Sequence, residues 1–134
     1  MTQVIIYTNT RGGVTVCVPT GELSVEDTQT KDTPAGSIIV DYDSLPWDSN
    51  DFFDAWELSG STVSVSLTKA KEVTKARLRD ERAPLLAAQD VLFMKAIEQG
   101  QDTTAIVAEK QRLRDITQLA DQATTLDGLR AITP

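Results

Sequence analysis

The stretch from Thr68 to Gly100, TKAKEVTKARLRDERAPLLAAQDVLFMKAIEQG, limits what this chain can fold into more than any other. It holds no glycine before its last position and is rich in Ala, Leu, Lys, Arg, Glu and Gln, which lose least on entering a helix. Thr68 is placed to cap the start, and Gly100 to stop the end by adopting the left-handed backbone. Leu78, Leu85 and Leu92 recur every seven residues, and Phe93, Ala96 and Ile97 widen the apolar stripe. Pro84 interrupts the pattern. Inside a helix it removes one backbone bond and crowds the carbonyl of Asp80, at a cost of about 3 kcal/mol. The stretch is therefore either one long kinked helix or two helices joined at Ala83–Pro84.

The polar run Gln101–Thr104 follows, with Asp102 or Thr103 as cap for a second helix reaching about Ala123. Ile106, Leu113, Ile116 and Ala120 form its apolar stripe, so residues 68–134 read as an αα-hairpin in which the two stripes bury each other. Thr125 to Leu129 begins a last turn.

Residues 1–67 read differently. Val4–Tyr7 and Val14–Val18 are β-branched runs separated by Asn9-Thr10-Arg11-Gly12-Gly13, the pattern of a β-hairpin with a five-residue loop. Ser24 with Asp27 three positions later resembles a capping box, which predicts a short helix over Ser24–Lys31. Ser37–Val40 is a third strand. Phe52, Phe53 and Trp56 sit at helical spacing in a short predicted helix, Asp51–Glu57, expected to plug the sheet. Val63, Val65 and Leu67 alternate as a fourth strand. The predicted class is α+β: a small, mostly antiparallel sheet in a β-rich domain at 1–67, then the helical element at 68–134, bent or broken near Pro84.

Charge divides along the same line. Residues 1–67 hold ten acids and two bases, a net −8, while residues 68–134 hold eleven bases and ten acids. Within the latter, Lys69 to Arg82 carries six bases against Glu72, Asp80 and Glu81. This basic helix start is expected to meet an acidic surface, of the chain's own first half or of a neighbouring subunit. With −7 overall, nucleic-acid binding is not expected. The chain has no histidine, which removes the commonest general base and transition-metal ligand. Cys17 is the only cysteine and lies in an alternating strand, where it reads as a packing residue. No apolar run reaches the roughly 18 residues of a membrane span, and MTQVIIYTN lacks a basic signal n-region. A soluble protein with no membrane partner and no export signal is expected.

No catalytic, cofactor or metal site is predicted. Asp41, Asp43, Asp48, Asp51 and Asp54 are closely spaced, so the alternative to a purely structural role is a small ligand- or metal-binding regulatory module using the acidic loop 41–54. In an EF-hand frame, however, Leu45, Pro46 and Trp47 fall where ligands belong, and no glycine supplies the turn. A carboxylate pair for hydrolysis is a third, remoter option. Arg11-Gly12-Gly13 lacks both the lysine and the following helix of a phosphate loop.

Several pieces together carry a resemblance. They are VIIYTNTRGGVTVCVPTGEL, TPAGSIIVDYDSLP, FFDAWELSG, KAKEVTKARLRDERAPLLAAQDVLFMKAIEQG and EKQRLRDIT. The layout resembles small accessory proteins of bacteriophage tail modules, and the helical part looks like the closing region of phage tail-fibre assembly proteins. Leu113-Arg114-Asp115 stands where that family's better-known members carry a tryptophan. The resemblance implies a non-enzymatic protein made in the host cytoplasm and acting at the virion tail, as a retained subunit or a released chaperone. It implies contacts with fibre or baseplate subunits, in an oligomer. The residues expected to make them are Lys69, Lys75, Arg79 and Arg82 of the basic start, with Leu78, Leu85 and Leu92.

Overall fold

A computed structural model describes residues 2–134. The chain forms two compact units, divided between Ala70 and Lys71. The class is α+β, a small antiparallel sheet followed by a long helix and further helices.

In the first unit, β1 (Gln3–Thr8) is the centre of a three-stranded antiparallel sheet, flanked by β2 (Val14–Cys17) and β3 (Ile38–Asp41). The loop between β1 and β2 is built by Asn9. Its side-chain carbonyl accepts from the N–H groups of Arg11 (3.0 Å) and Gly13 (3.1 Å), and its backbone N–H donates to the Gly13 carbonyl. Gly12 has φ +82°, which a side chain would disfavour, so the Gly-Gly pair serves the turn. Val4, Ile5 and Ile6 of β1 are all fully buried, so both faces of the central strand are covered. Helix α1 (Val25–Asp32) lies against β1 and β3, and Ser24 caps it as predicted, accepting from the Asp27 N–H at 3.1 Å.

The opposite face carries the core of Val4, Ile6, Val14, Leu45 and Trp56. Two features here correct the sequence reading. The predicted helix Asp51–Glu57 is instead a 3-10 segment over Trp47–Ala55, with non-helical backbone at Ser49 and Phe52. Trp56 then opens a strand, β4 (Trp56–Ser59), which pairs antiparallel with β5 (Thr62–Val65) as a separate two-stranded sheet. Among the described residues the first unit thus has five strands in two sheets, not four in one. The aromatic plug itself is present. Trp56 is fully buried, its ring lies 4.8 Å from Phe53 and 5.2 Å edge-on from Trp47, and its indole N–H donates to the Ser49 carbonyl.

Helix α2 runs unbroken over Leu67–Glu98 with Pro84 inside it. Of the two alternatives at Ala83–Pro84, the single helix holds. Pro84 and Asp80 both lie on the exposed side, so water can satisfy the Asp80 carbonyl that proline leaves without a donor. The helix starts one residue before Thr68, and Ser66 accepts from the Lys69 N–H in the role expected of Thr68. Its end is a Schellman motif. Gly100 at φ +68° donates to the Ile97 carbonyl and Gln101 to that of Ala96.

The second helix is divided: α3 (Thr104–Asp115), α4 (Thr117–Gln122) and a final short α5 (Leu126–Arg130). Asp102 accepts from the Thr104 hydroxyl (2.6 Å) and N–H (3.0 Å), bonds that hold its carboxyl below the ordinary value of 3.8. The hairpin is antiparallel, since Asp90 pairs with Lys110, Arg82 reaches Leu113 and Arg114, and Lys75 pairs with Asp121. Leu78, Leu113, Ile116, Ala120 and Leu129 are its buried apolar centre. No helix is long and apolar enough to cross a membrane among the described residues.

Candidate protein-interaction surface

The basic start of α2 proves to be mostly occupied within the chain. Lys69 lies within the first unit, where it pairs with Glu57 at 3.1 Å and donates to the Gly12 carbonyl. The next bases turn instead to the C-terminal helices. Lys71 donates to the Asp121 carbonyl near the end of α4, and Arg77 to the carbonyls of Leu129 and Ile132 around the end of α5. Arg82 donates to Leu113 and Arg114, at 3.3 and 2.7 Å, in the last turn of α3.

Lys71, Arg77 and Arg82 thus sit where a helix leaves carbonyls without intrahelical donors and where its dipole is negative. Lys75 joins Asp121 at 2.6 Å and Glu72 at 3.3 Å. Hydrogen bonding to Asp121 is the main cause of its raised pKa, opposed by partial burial and aided by Glu72. Arg79 is exposed. Arg82→Met is expected to keep the packed stem but lose both carbonyl bonds. It should cost about 1–2 kcal/mol of stability in a thermal melt of the full chain, and an unchanged melt would contradict the capping role.

The seven-residue stripe divides. Leu78 is fully buried, but Leu85 and Leu92 are 42% and 47% exposed. The expectation that all three pack on the second helix is corrected here. The face that α2 turns inward passes through Ala70, Thr74, Leu78, Arg82, Leu86, Gln89, Phe93 and Ala96, all buried or half-buried. That series advances mostly in fours. A strict seven-residue spacing drifts the other way, by about 20° per repeat on a straight helix. By Leu92 the two have parted.

What results is an apolar outer surface on the distal part of α2. Leu85, Val91, Leu92, Met94 and Ile97 are each between 42% and 58% exposed, and Pro84 and Ala88 are exposed among them. Of these, Val91 and Met94 were not singled out from sequence. The signal was there: from Ala83 to Ile97 only Gln89, Asp90 and Lys95 interrupt the apolar residues. A helix apolar on all sides, packed on only one, leaves the rest of its surface for something else.

The acidic loop offers less. Asp41 belongs to β3, Asp43 to a 3-10 turn, and Asp48, Asp51 and Asp54 to the 3-10 segment. Among the described residues no three His, Cys, Asp or Glu side chains are grouped so as to hold a metal ion. Asp48 and Asp51 each already have an interaction within the chain. Compared with protein-family models, curated proteins and solved structures, the chain matches none of them.

Proposed function

We propose that this chain is a non-enzymatic bacteriophage tail protein that acts in tail-fibre or baseplate assembly or attachment through protein–protein contacts. The phage assignment rests on the resemblance of its sequence pieces to tail-fibre assembly proteins. The observation that carries the mode of action is the exposed apolar surface of α2 around Leu85, Val91, Leu92, Met94 and Ile97. Scattered single apolar side chains are ordinary on a protein surface, but five half-exposed ones within thirteen residues of one helix point to a contact face. The protein is made in the host cytoplasm and meets fibre or baseplate subunits there.

The test is capture of tagged full-length chain from phage-producing cells, with mass spectrometry of what is retained and of purified particles. A fibre or baseplate protein is expected in a fixed ratio to the bait, and to be lost with Leu92→Glu. Retention of no tail protein, in cells or particles, would overturn the assignment. Fixed copy number in particles identifies a virion subunit, whereas presence only in cells identifies a chaperone.

A further inference from the structure

We infer that the outer face of α2 pairs with the same face of a second copy, antiparallel, about a two-fold axis passing beside Ala88. This rests on the reading of that face as a contact surface and names one occupant for it. The argument is the self-complementarity of the residue order. At 100° per residue, Ala88 lies between two rows of exposed residues, with Met94 and Ile97 outside both. Glu81, Leu85 and Leu92 flank it on one side, and Pro84, Val91 and Lys95 on the other.

A two-fold axis at Ala88 brings position 88+k level with position 88−k of the other copy. The axis also keeps each row on its own side of the seam, so Leu85 of one copy lies beside Leu92 of the other, one residue off level, and Pro84 likewise beside Val91. Glu81 stands opposite Lys95, twice by symmetry. Every large apolar group at the centre of the stripe meets an apolar group, and both charges that close it meet their opposite. An isologous interface must match itself in this way, and a parallel arrangement does not, because it sets Glu81 against Glu81 and Lys95 against Lys95.

The available partners agree. Lys95 makes no ion pair among the described residues, whereas Glu81 is shared with Arg77 four residues before it, at 3.0 Å. At the axis the small side chain of Ala88 lets the two helices approach to the roughly 8–10 Å of ordinary helix packing. The residues concerned are exposed, so changing them leaves the hairpin's own core intact.

The test uses purified full-length chain alone, in sedimentation equilibrium and size-exclusion chromatography with light scattering. A concentration-dependent dimer is expected. Leu92→Glu should raise its dissociation constant at least about a hundredfold while circular dichroism stays unchanged. Glu81→Lys and Lys95→Glu should each weaken the dimer about tenfold, and the two together should restore it.

Orientation is read by oxidation in a Cys17→Ser background. Ala88→Cys sits at the axis and should cross-link. Leu85→Cys should not, because its two copies are six residues apart along the pair, about 9 Å, too far for a disulfide. A monomer at all concentrations, cross-linking of Leu85→Cys as fast as Ala88→Cys, or no recovery in the double charge exchange would each overturn the inference. A chain that is monomeric alone yet retains a tail protein in cells leaves the proposed function standing and assigns this face to that tail protein.

Discussion

Trp56→Ala is expected to destabilise the first unit by about 3–5 kcal/mol, the range for truncating a large aromatic in a core. The side chain is fully buried and touches the other elements of that core through the rings of Trp47 and Phe53. It is also tied by its indole N–H to the Ser49 carbonyl. Truncation therefore opens a cavity and at once removes the indole donor from the half-buried Ser49 carbonyl. Against a net stability of about 5–15 kcal/mol for a whole domain, this can unfold the unit at room temperature. The measurement is urea unfolding followed by tryptophan fluorescence. In the variant Trp47 is the only remaining tryptophan, and it lies in the same unit, so the signal reports that unit alone. If the transition midpoint stays at the wild-type value, Trp56 is not the centre of this core.

The second large effect separates leucines that look alike in sequence. Leu78→Ala is expected to cost about 2–5 kcal/mol, whereas Leu85→Ala and Leu92→Ala should each stay within about 1 kcal/mol. Far-UV circular dichroism during denaturant unfolding gives all three values, since the helices dominate that signal. The physical difference is burial: Leu78 sits wholly inside the hairpin, and the other two lie 42% and 47% exposed on its flank. Equal losses from all three substitutions would mean that the seven-residue stripe is the true core seam.

These contrasts show which signals a sequence carries unambiguously. The β1–β2 hairpin was legible because alternation and the Asn-Thr-Arg-Gly-Gly loop point to the same turn. The cap at Ser24 was legible because hydroxyl and acceptor spacing are local. Gly100 was legible for the same reason, as the one glycine at the end of a long helical stretch.

Strand β4 was not. Phe52, Phe53 and Trp56 have helical spacing, and Trp56 is placed by its pairing with Val65, a contact that only the folded chain supplies. The inward face of α2 was ambiguous for a related reason. Between Ala83 and Ile97 nearly every direction around the helix is apolar, so periodicity alone offers several stripes and the partner helix chooses among them. The occupants of the basic start were hidden too. Lys71 and Arg82 seek backbone carbonyls, and Arg77 reaches two of them beside its pair with Glu81; carbonyls carry no side-chain signature.

That last arrangement bears on how the second unit opens. Helices α4 and α5 have six and five residues, below the length at which an isolated helix persists in water. Lys71 and Arg77 hold carbonyls around the ends of these helices, and Arg82 holds those at the end of α3, all from a single neighbouring element. None of the three can detach without breaking the bonds that α2 side chains make to its carbonyls. Their amide protons should therefore exchange with solvent together, at a rate set by release from α2, and not fray independently from the C-terminal end.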